Sequence, residues 1–512
     1  MELHKGNPYS VARVFTGMKH IILGKAVTSI AGVGTLLVVV RGLSISEFAA
    51  YSVMFGIMDI VLVATSLGAH QILTRYVPEI FSMHYARALR RLLAYTLGLR
   101  FLVLLLCLAV LAAMLAFFAS VIGLSDWQFA LKCYLLVVLF RTVSLTLFQV
   151  LEATLSQGRG QGAFALVTAS KFVGVVCLHF TGHLSLISLI TVEIATEALG
   201  AILMSIGVSK IAPKQRADAG ADLAEYRWLR ENRRRMLIFG FKGYFQNLII
   251  MPFSGMFNRL IVGGSLPVSQ VAVFGFAQTV LDLMLRYLPA QMFAGMMRPV
   301  MAARFSQSKG FVEVQSISNA ALKANLVLIG LAAVVAAAGG GDMMLMISGG
   351  KYGSSASWLI LLMCMLAALE SWRHVLDQIS HTVERYGFLV FSNALLGASL
   401  FLGLALMPRL EIFALPLANC AGLLVANLMV MWWLRSTGYR YRPDVKGVAF
   451  LLLAVGLTAG IGYSLESIID HWQLRAAIAA LVYFGLTAPL LLVGSEERRL
   501  FDLLVSRRRP SA

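Results

Sequence analysis

Residues 412–435 read IFALPLANCAGLLVANLMVMWWLR, and the closing arginine is their only charge. A helix crosses a ~30 Å hydrocarbon core with about 20 apolar residues, so this stretch is a membrane span. Trp432, Trp433 and Arg435 lie at its end, where aromatic and basic residues anchor a helix at the interface. Thirteen further stretches read the same way, at 20–41, 48–70, 97–120, 128–151, 161–181, 185–208, 236–262, 268–290, 317–338, 356–377, 386–407, 446–466 and 474–494. The seventh, eighth and tenth spans carry charges that soften their boundaries, which puts the count between twelve and fourteen. Composition agrees, with 59% hydrophobic and 13% charged residues where a soluble chain has about 25% charged. Soluble, disordered, collagenous and disulfide-scaffold classes are excluded. The five cysteines, Cys107, Cys133, Cys177, Cys364 and Cys420, lie in apolar stretches with no CxxC pair. They read as small hydrophobes, with no disulfide framework and no metal site. The polar, basic start runs into the first span without an A-x-A site, unlike a cleaved signal peptide.

The formal net charge is +18. In a soluble protein this would point to nucleic acid; here the loops account for it. With the N-terminus in the cytoplasm, 29 Lys and Arg fall on the inner side, from Lys5, Arg13 and Lys19 to Arg507, Arg508 and Arg509. Only Arg41, Lys351, Arg409 and Arg475 fall outside. The positive-inside rule therefore predicts both termini inside, an even number of spans and no nucleic-acid partner. The largest polar segment, 209–235, reads as a basic cytoplasmic linker lying on anionic lipid. It divides an N-lobe at 1–208 from a C-lobe at 236–435, followed by two more helices and a basic tail over 436–512. Within that tail, 496–509 reads as an amphipathic interfacial helix.

Spans one and seven look alike. Lys25 precedes Arg41 by 16 residues and Lys242 precedes Arg259 by 17, with Gly32 and Gly34, or Pro252 and Gly255, between them. Asp59 and Asp282, like Arg100 and Lys323, are 223 apart. The pattern predicts an all-α polytopic membrane protein of about 14 transmembrane helices. It would have two pseudo-symmetric six-helix lobes plus two C-terminal helices. A span weakened at matching places in two parallel halves is the mark of a transporter, with Gly32, Gly34, Pro252 and Gly255 as hinges.

The segment from Gly42 to Glu79, GLSISEFAAYSVMFGIMDIVLVATSLGAHQILTRYVPE, resembles the start of the bacterial polysaccharide flippases. These translocate lipid-linked O-antigen and exopolysaccharide units and belong to the multidrug/oligosaccharidyl-lipid/polysaccharide exporter superfamily. Ile347-Ser348-Gly349-Gly350-Lys351-Tyr352 resembles that family's turn before its tenth helix. The resemblance implies a multi-pass protein of the bacterial cytoplasmic (inner) membrane. It implies an undecaprenyl-diphosphate-linked oligosaccharide as substrate, membrane lipids and polysaccharide polymerase machinery as partners, and no enzymatic activity.

Ionisable residues inside spans are costly and mark function by default. The cations are Lys25, Arg141, Lys171, Lys242, Arg259, Arg286 and Lys323; the acids are Asp59, Glu193, Glu197, Asp282, Glu370 and Asp377. A cavity between two lobes lined by Lys and Arg suits a diphosphate. Lys25, Lys171, Lys242, Arg141 and Arg259 are the candidate substrate-binding residues. Glu193 and Glu197, one turn apart, and Asp59 are candidates for proton or cation coupling, because crowded carboxylates retain a proton. Alternatively the glutamates counter Lys171. Asp282 with Arg286, and Glu370 with Arg373 and Asp377, are spaced to pair along their own helices. The chain contains no GxxxxGK[ST], HExxH or GxSxG motif, so no cofactor and no ATP-driven step is expected. The competing reading is a cation-coupled multidrug efflux pump of the same superfamily.

Overall fold

The computed structural model describes residues 11–83, 85–154, 156–211, 219–292, 301, 311–383 and 387–492. Every regular element among them is a helix. Among the described residues, eleven helical stretches are long and apolar enough to cross a membrane, or twelve with one bent pair. Two places account for the difference from fourteen. The stretch Gly387–Ser436 is one apolar run but folds as two helices separated at Glu411–Phe413, and the apolar part of the last helix, Trp472–Ala488, falls short of the length set for a span. The chain forms two compact units, Met1–Val268 and Ser269–Ala512.

The first unit comprises α1 (Val11–Gly42), α2 (Ile45–Ala64), α3 (Ala69–Ser82), α4 (Ala86–Ala113), α5 (Leu115–Val121), α6 (Gln128–Ala153), α7 (Gln157–Phe180), α8 (Leu186–Ser209), α9 (Ala219–Ile250) and α10 (Gly255–Ser265). Helix α6 packs along α8, α7 lies against α1 and α8, and α10 lies on α2. The sequence motif of residues 42–79 has a local and a tertiary part. Locally, Ser44 caps α2: its hydroxyl accepts from Glu47 N, and Glu47 Oε2 accepts from Ser44 N at 2.9 Å, a capping box. The tertiary part is Glu47 Oε1, which accepts from Leu186 N at 2.9 Å and so also caps α8. Replacing Glu47 by Ala removes an acceptor from both helix starts, so a loss of about 1–2 kcal/mol is expected. Thermal unfolding in detergent reads it, and a midpoint equal to wild type would refute the shared cap.

Between α2 and α3 the chain turns through Leu67 (φ 43°) and Gly68 (φ 80°). A Cβ on Gly68 would lie 2.3 Å from the Gly240 carbonyl oxygen, so α9 closes on this turn as no other residue would allow. Arg100, buried on α4, donates to the Leu62 carbonyl in the last turn of α2 at 3.2 Å, where a cation complements the helix dipole.

Two features differ from the sequence expectation. Helix α1 runs unbroken through Gly32 and Gly34. A Cβ on Gly34 would lie 2.6 Å from the Phe172 ring, so this glycine admits a close approach of α7. Residues 219–235, expected as linker, form the first half of α9. Leu, Ala, Glu and Arg there are strong helix formers. Buried Glu225 accepts from Ala88 N at 2.8 Å, while Trp228 and Leu229 pack on a core that includes Tyr76 and Leu89. In the seventh span the axis turns by 42° between Phe253 and Gly255, after Pro252. Residues 212–218 and the amphipathic tail 496–509 lie outside the described residues, as do Arg298, Arg304, Lys309 and Arg385.

The second unit contains α11 (Val268–Tyr287), α12 (Pro289–Met292), α13 (Phe311–Ser348), α14 (Ser354–Thr382), α15 (Gly387–Leu410), α16 (Ala414–Ser436), α17 (Val445–Ser464) and α18 (Trp472–Leu492). Helix α13 is its spine and packs on α14, α17 and α18. The motif at 347–352 ends α13: Ser348 Oγ accepts from Lys351 N and Tyr352 N at 3.1 and 2.9 Å, and Tyr352 buries its ring beside Phe276. Arg475, an outer cation in the sequence reading, has a side chain only 2% exposed and donates to Asp342 at 2.8 Å. Lys323 bonds Asp444 at 2.6 Å and holds that carboxyl below its ordinary range, with Gly447 N–H adding to the effect. This contribution is present above the ordinary carboxylate range of about 4 and is lost as pH falls through the lowered value.

Candidate functional site

Four helices of the first unit bring their intramembrane charges together. Tyr51 on α2 donates its hydroxyl to Glu193 Oε1 on α8 at 2.6 Å. Lys171 on α7 donates to the same oxygen and lies 3.4 Å from the Tyr51 hydroxyl. One turn on, Glu197 Oε1 accepts from Arg141 Nη1 of α6 at 2.9 Å. The Arg141 guanidinium also stands over the Phe164 ring, 5.1 Å from its centroid. Ser144 bonds the Glu197 backbone carbonyl. Asp59, two turns beyond Tyr51 on α2, is within electrostatic reach of Arg141 and of buried Tyr134.

The burial is asymmetric. The Glu193 and Glu197 side chains are 4% and 9% exposed, whereas those of Lys171 and Arg141 are 21% and 18% exposed. The carboxylates are the more deeply buried partner of each pair. Each carboxylate keeps one oxygen, Oε2, buried without a hydrogen-bond partner among the described residues. An ion inside a membrane span costs several kcal/mol unless paired or facing water. Pairing here meets that cost while leaving about a fifth of each cation's side chain exposed. The arrangement offers an anion two cationic donors, Lys171 and Arg141.

The other sequence candidates are more dispersed. Arg259 on α10 is buried, with its guanidinium 5.0 Å from the Phe55 centroid, and the Phe55 and Tyr51 rings are 6.4 Å apart. It therefore approaches the network through α2. Lys25 on α1 is half-buried and acts electrostatically on Glu152 of α6. Lys242 is exposed on α9. The equivalence of Arg100 and Lys323 does not extend to chemistry, since one caps a helix and the other pairs with Asp444. In the second unit Arg373 pairs with Asp377 at 3.0 Å along its own helix and also donates to Ser392 and Asn393. Glu370 instead comes within electrostatic reach of Asp282, which accepts from Gln278 at 3.0 Å. Among the described residues no group of three or more His, Cys, Asp or Glu could hold a metal ion.

Sequence reasoning missed Tyr51. Its signal lay in the quoted motif, where Tyr51 follows Glu47 by one helical turn. Both residues face α8, and each contacts one of its polar groups, the Leu186 N–H and the Glu193 carboxylate.

No protein-family model matches this chain, and no curated protein matches it. Solved structures do. The lipid II flippase MurJ in its inward closed conformation aligns with a TM-score of 0.67 at 12% identity, over 94% of this chain and 99% of that one. An inward-facing conformation of a multidrug resistance MATE family transporter of the MOP superfamily aligns with a TM-score of 0.59 at 13% identity, over 80% of this chain and 94% of the other. At these identities the likeness is one of fold, and this chain has the fold of those multi-pass membrane proteins.

Proposed function

We propose that this protein is a non-enzymatic flippase of the bacterial cytoplasmic membrane. It moves a polyprenyl-diphosphate-linked oligosaccharide across the bilayer by alternating access, for O-antigen or exopolysaccharide synthesis. The observation that carries the reading is the pair of partly exposed cations, Lys171 and Arg141, backed by buried Glu193 and Glu197. Charge placed so in a membrane-spanning unit suits a phosphate headgroup, to which Arg offers a bidentate fork and Lys a point charge. Likeness of fold to a lipid II flippase supports a lipid-linked substrate. Arg259, Lys25 and Lys242 complete the proposed contacts. Glu193, Glu197 and Asp59 are the coupling residues. The chain flexes at Pro252–Gly255, where the seventh span is already bent. Both termini are inside, six membrane spans over 1–208 and six over 236–435 form the pseudo-symmetric halves, and polymerase machinery takes the product.

Cells lacking this chain test the reading. A finished oligosaccharide on its polyprenyl diphosphate is expected to accumulate in the inner leaflet, and surface polysaccharide to disappear. A second reading, cation-coupled efflux of organic cations, is favoured by the proximity of Asp282 and Glu370 in the second unit and by the likeness to a multidrug transporter. Under that reading no lipid intermediate builds up, and sensitivity to organic cations rises.

A further inference from the structure

The carboxylates of the first unit have bonding capacity that their cations do not use. Glu193 and Glu197 each bond a cation through Oε1, while each Oε2 is buried without a hydrogen-bond partner among the described residues. We propose that anion binding in this unit is coupled to proton uptake: phosphate oxygens take over Lys171 and Arg141, and the released carboxylates each take a proton. The inference rests on the flippase reading and deepens it by naming what is exchanged. No bond to phosphorus forms or breaks. Two ion pairs are replaced by two others, and each proton passes from the aqueous phase to a carboxylate oxygen.

Charge balance drives the exchange. Two carboxylates and two cations cancel within the network. A diphosphate brought against it adds negative charge to a poorly solvated site, and a carboxylate in that position takes a proton instead of remaining charged. The geometry accepts the proton. Tyr51, which now donates to Glu193 at 2.6 Å, can turn its hydroxyl to accept from a protonated Glu193. With both cations drawn forward, Glu193 and Glu197 would be bare like charges one turn apart, which further favours protonation.

The surrounding groups set the balance. From α2, Tyr51 bonds Glu193, and Asp59, through its reach to Arg141, adds negative charge that favours protonation. Glu47 lies at the start of that helix, bonded to the Leu186 N–H. Helix α6 contributes Arg141 and Tyr134, α7 contributes Lys171, and α10 contributes Arg259, whose charge reaches Tyr51 and opposes protonation. The cations that oppose protonation most directly are Lys171 and Arg141, the two that the anion draws away.

Titration calorimetry of the purified full chain tests this, with farnesyl diphosphate as probe in two buffers of different ionisation enthalpy. The range from about pH 7.5 to about pH 8.5 keeps the probe above its own last ionisation, near ~6 for a phosphate ester. Wild type is expected to take up about two protons per probe bound, and affinity to fall about tenfold per pH unit for each proton. The Glu193→Gln/Glu197→Gln variant is expected to bind with no uptake and no such pH dependence. Binding by wild type without proton uptake would overturn the coupling and leave the flippase reading standing. Undiminished uptake by the double variant would also overturn it, because the protons would then go elsewhere. No binding by wild type at any pH would remove the anionic-substrate reading itself.

Discussion

Replacing Lys171 by methionine is expected to abolish transport and to destabilise the protein by about 3–5 kcal/mol, the range for breaking a buried ion pair. The size of the effect follows from what remains. Glu193 would keep its bond from Tyr51 but lose its neutralising charge while still 4% exposed. A second substitution separates the two losses. In Lys171→Met/Glu193→Gln the buried charge is gone, and stability is expected to return to within about 1 kcal/mol of wild type. Transport is not expected to return, because on the proposed reading the phosphate would still lack its lysine. Loss of one partner of a desolvated charge pair costs at least ~2 kcal/mol, or about thirtyfold in flipping rate. Chemical unfolding in detergent and flipping of a lipid-linked oligosaccharide in liposomes measure the two effects. A double variant that flips at the wild-type rate would show that Lys171 serves the fold alone.

The second large effect is expected at Gly68. Gly68→Ala places a Cβ at φ 80° and 2.3 Å from the Gly240 carbonyl oxygen, 2.8 Å from its Cα. The left-handed backbone costs about 1–2 kcal/mol with a side chain, and the overlap adds about 1–3 kcal/mol because backbone cannot rotate aside. A total near 2–5 kcal/mol would release α9 from the α2–α3 turn. Gly98→Ala is the control. That glycine lies inside α4 with nothing within 4 Å of its would-be Cβ, so alanine is expected to be neutral or to stabilise by up to ~1 kcal/mol. Equal unfolding midpoints for the two variants would sink the argument.

Much of the fold could be read from the sequence because it is local. Spans follow from hydropathy and length. Ser44 and Glu47 of the cap are three residues apart, the bend in the seventh span follows from Pro252 and Gly255, and the Arg373–Asp377 pair is one turn apart. The types of residue at the candidate site could also be read, because a charge inside a membrane span stands out against its neighbours. Its wiring could not. Lys171 and Glu193 are 22 residues apart, Arg141 and Glu197 are 56, and Tyr51 and Glu193 are 142.

The physical reason is rotational phase. A soluble helix shows its inward face by an apolar stripe, but a helix bounded by lipid is apolar all round, so its sequence does not say which neighbour each residue meets. Gly34 shows the same limit: in sequence it reads as a weak point in α1, and packing against Phe172 makes it a contact in an unbroken helix. By itself the sequence determined that this chain spans the membrane many times and carries ionisable residues within those spans. The tertiary structure decided that two of the cations pair with two buried carboxylates, because only packing sets the rotation of each helix about its axis.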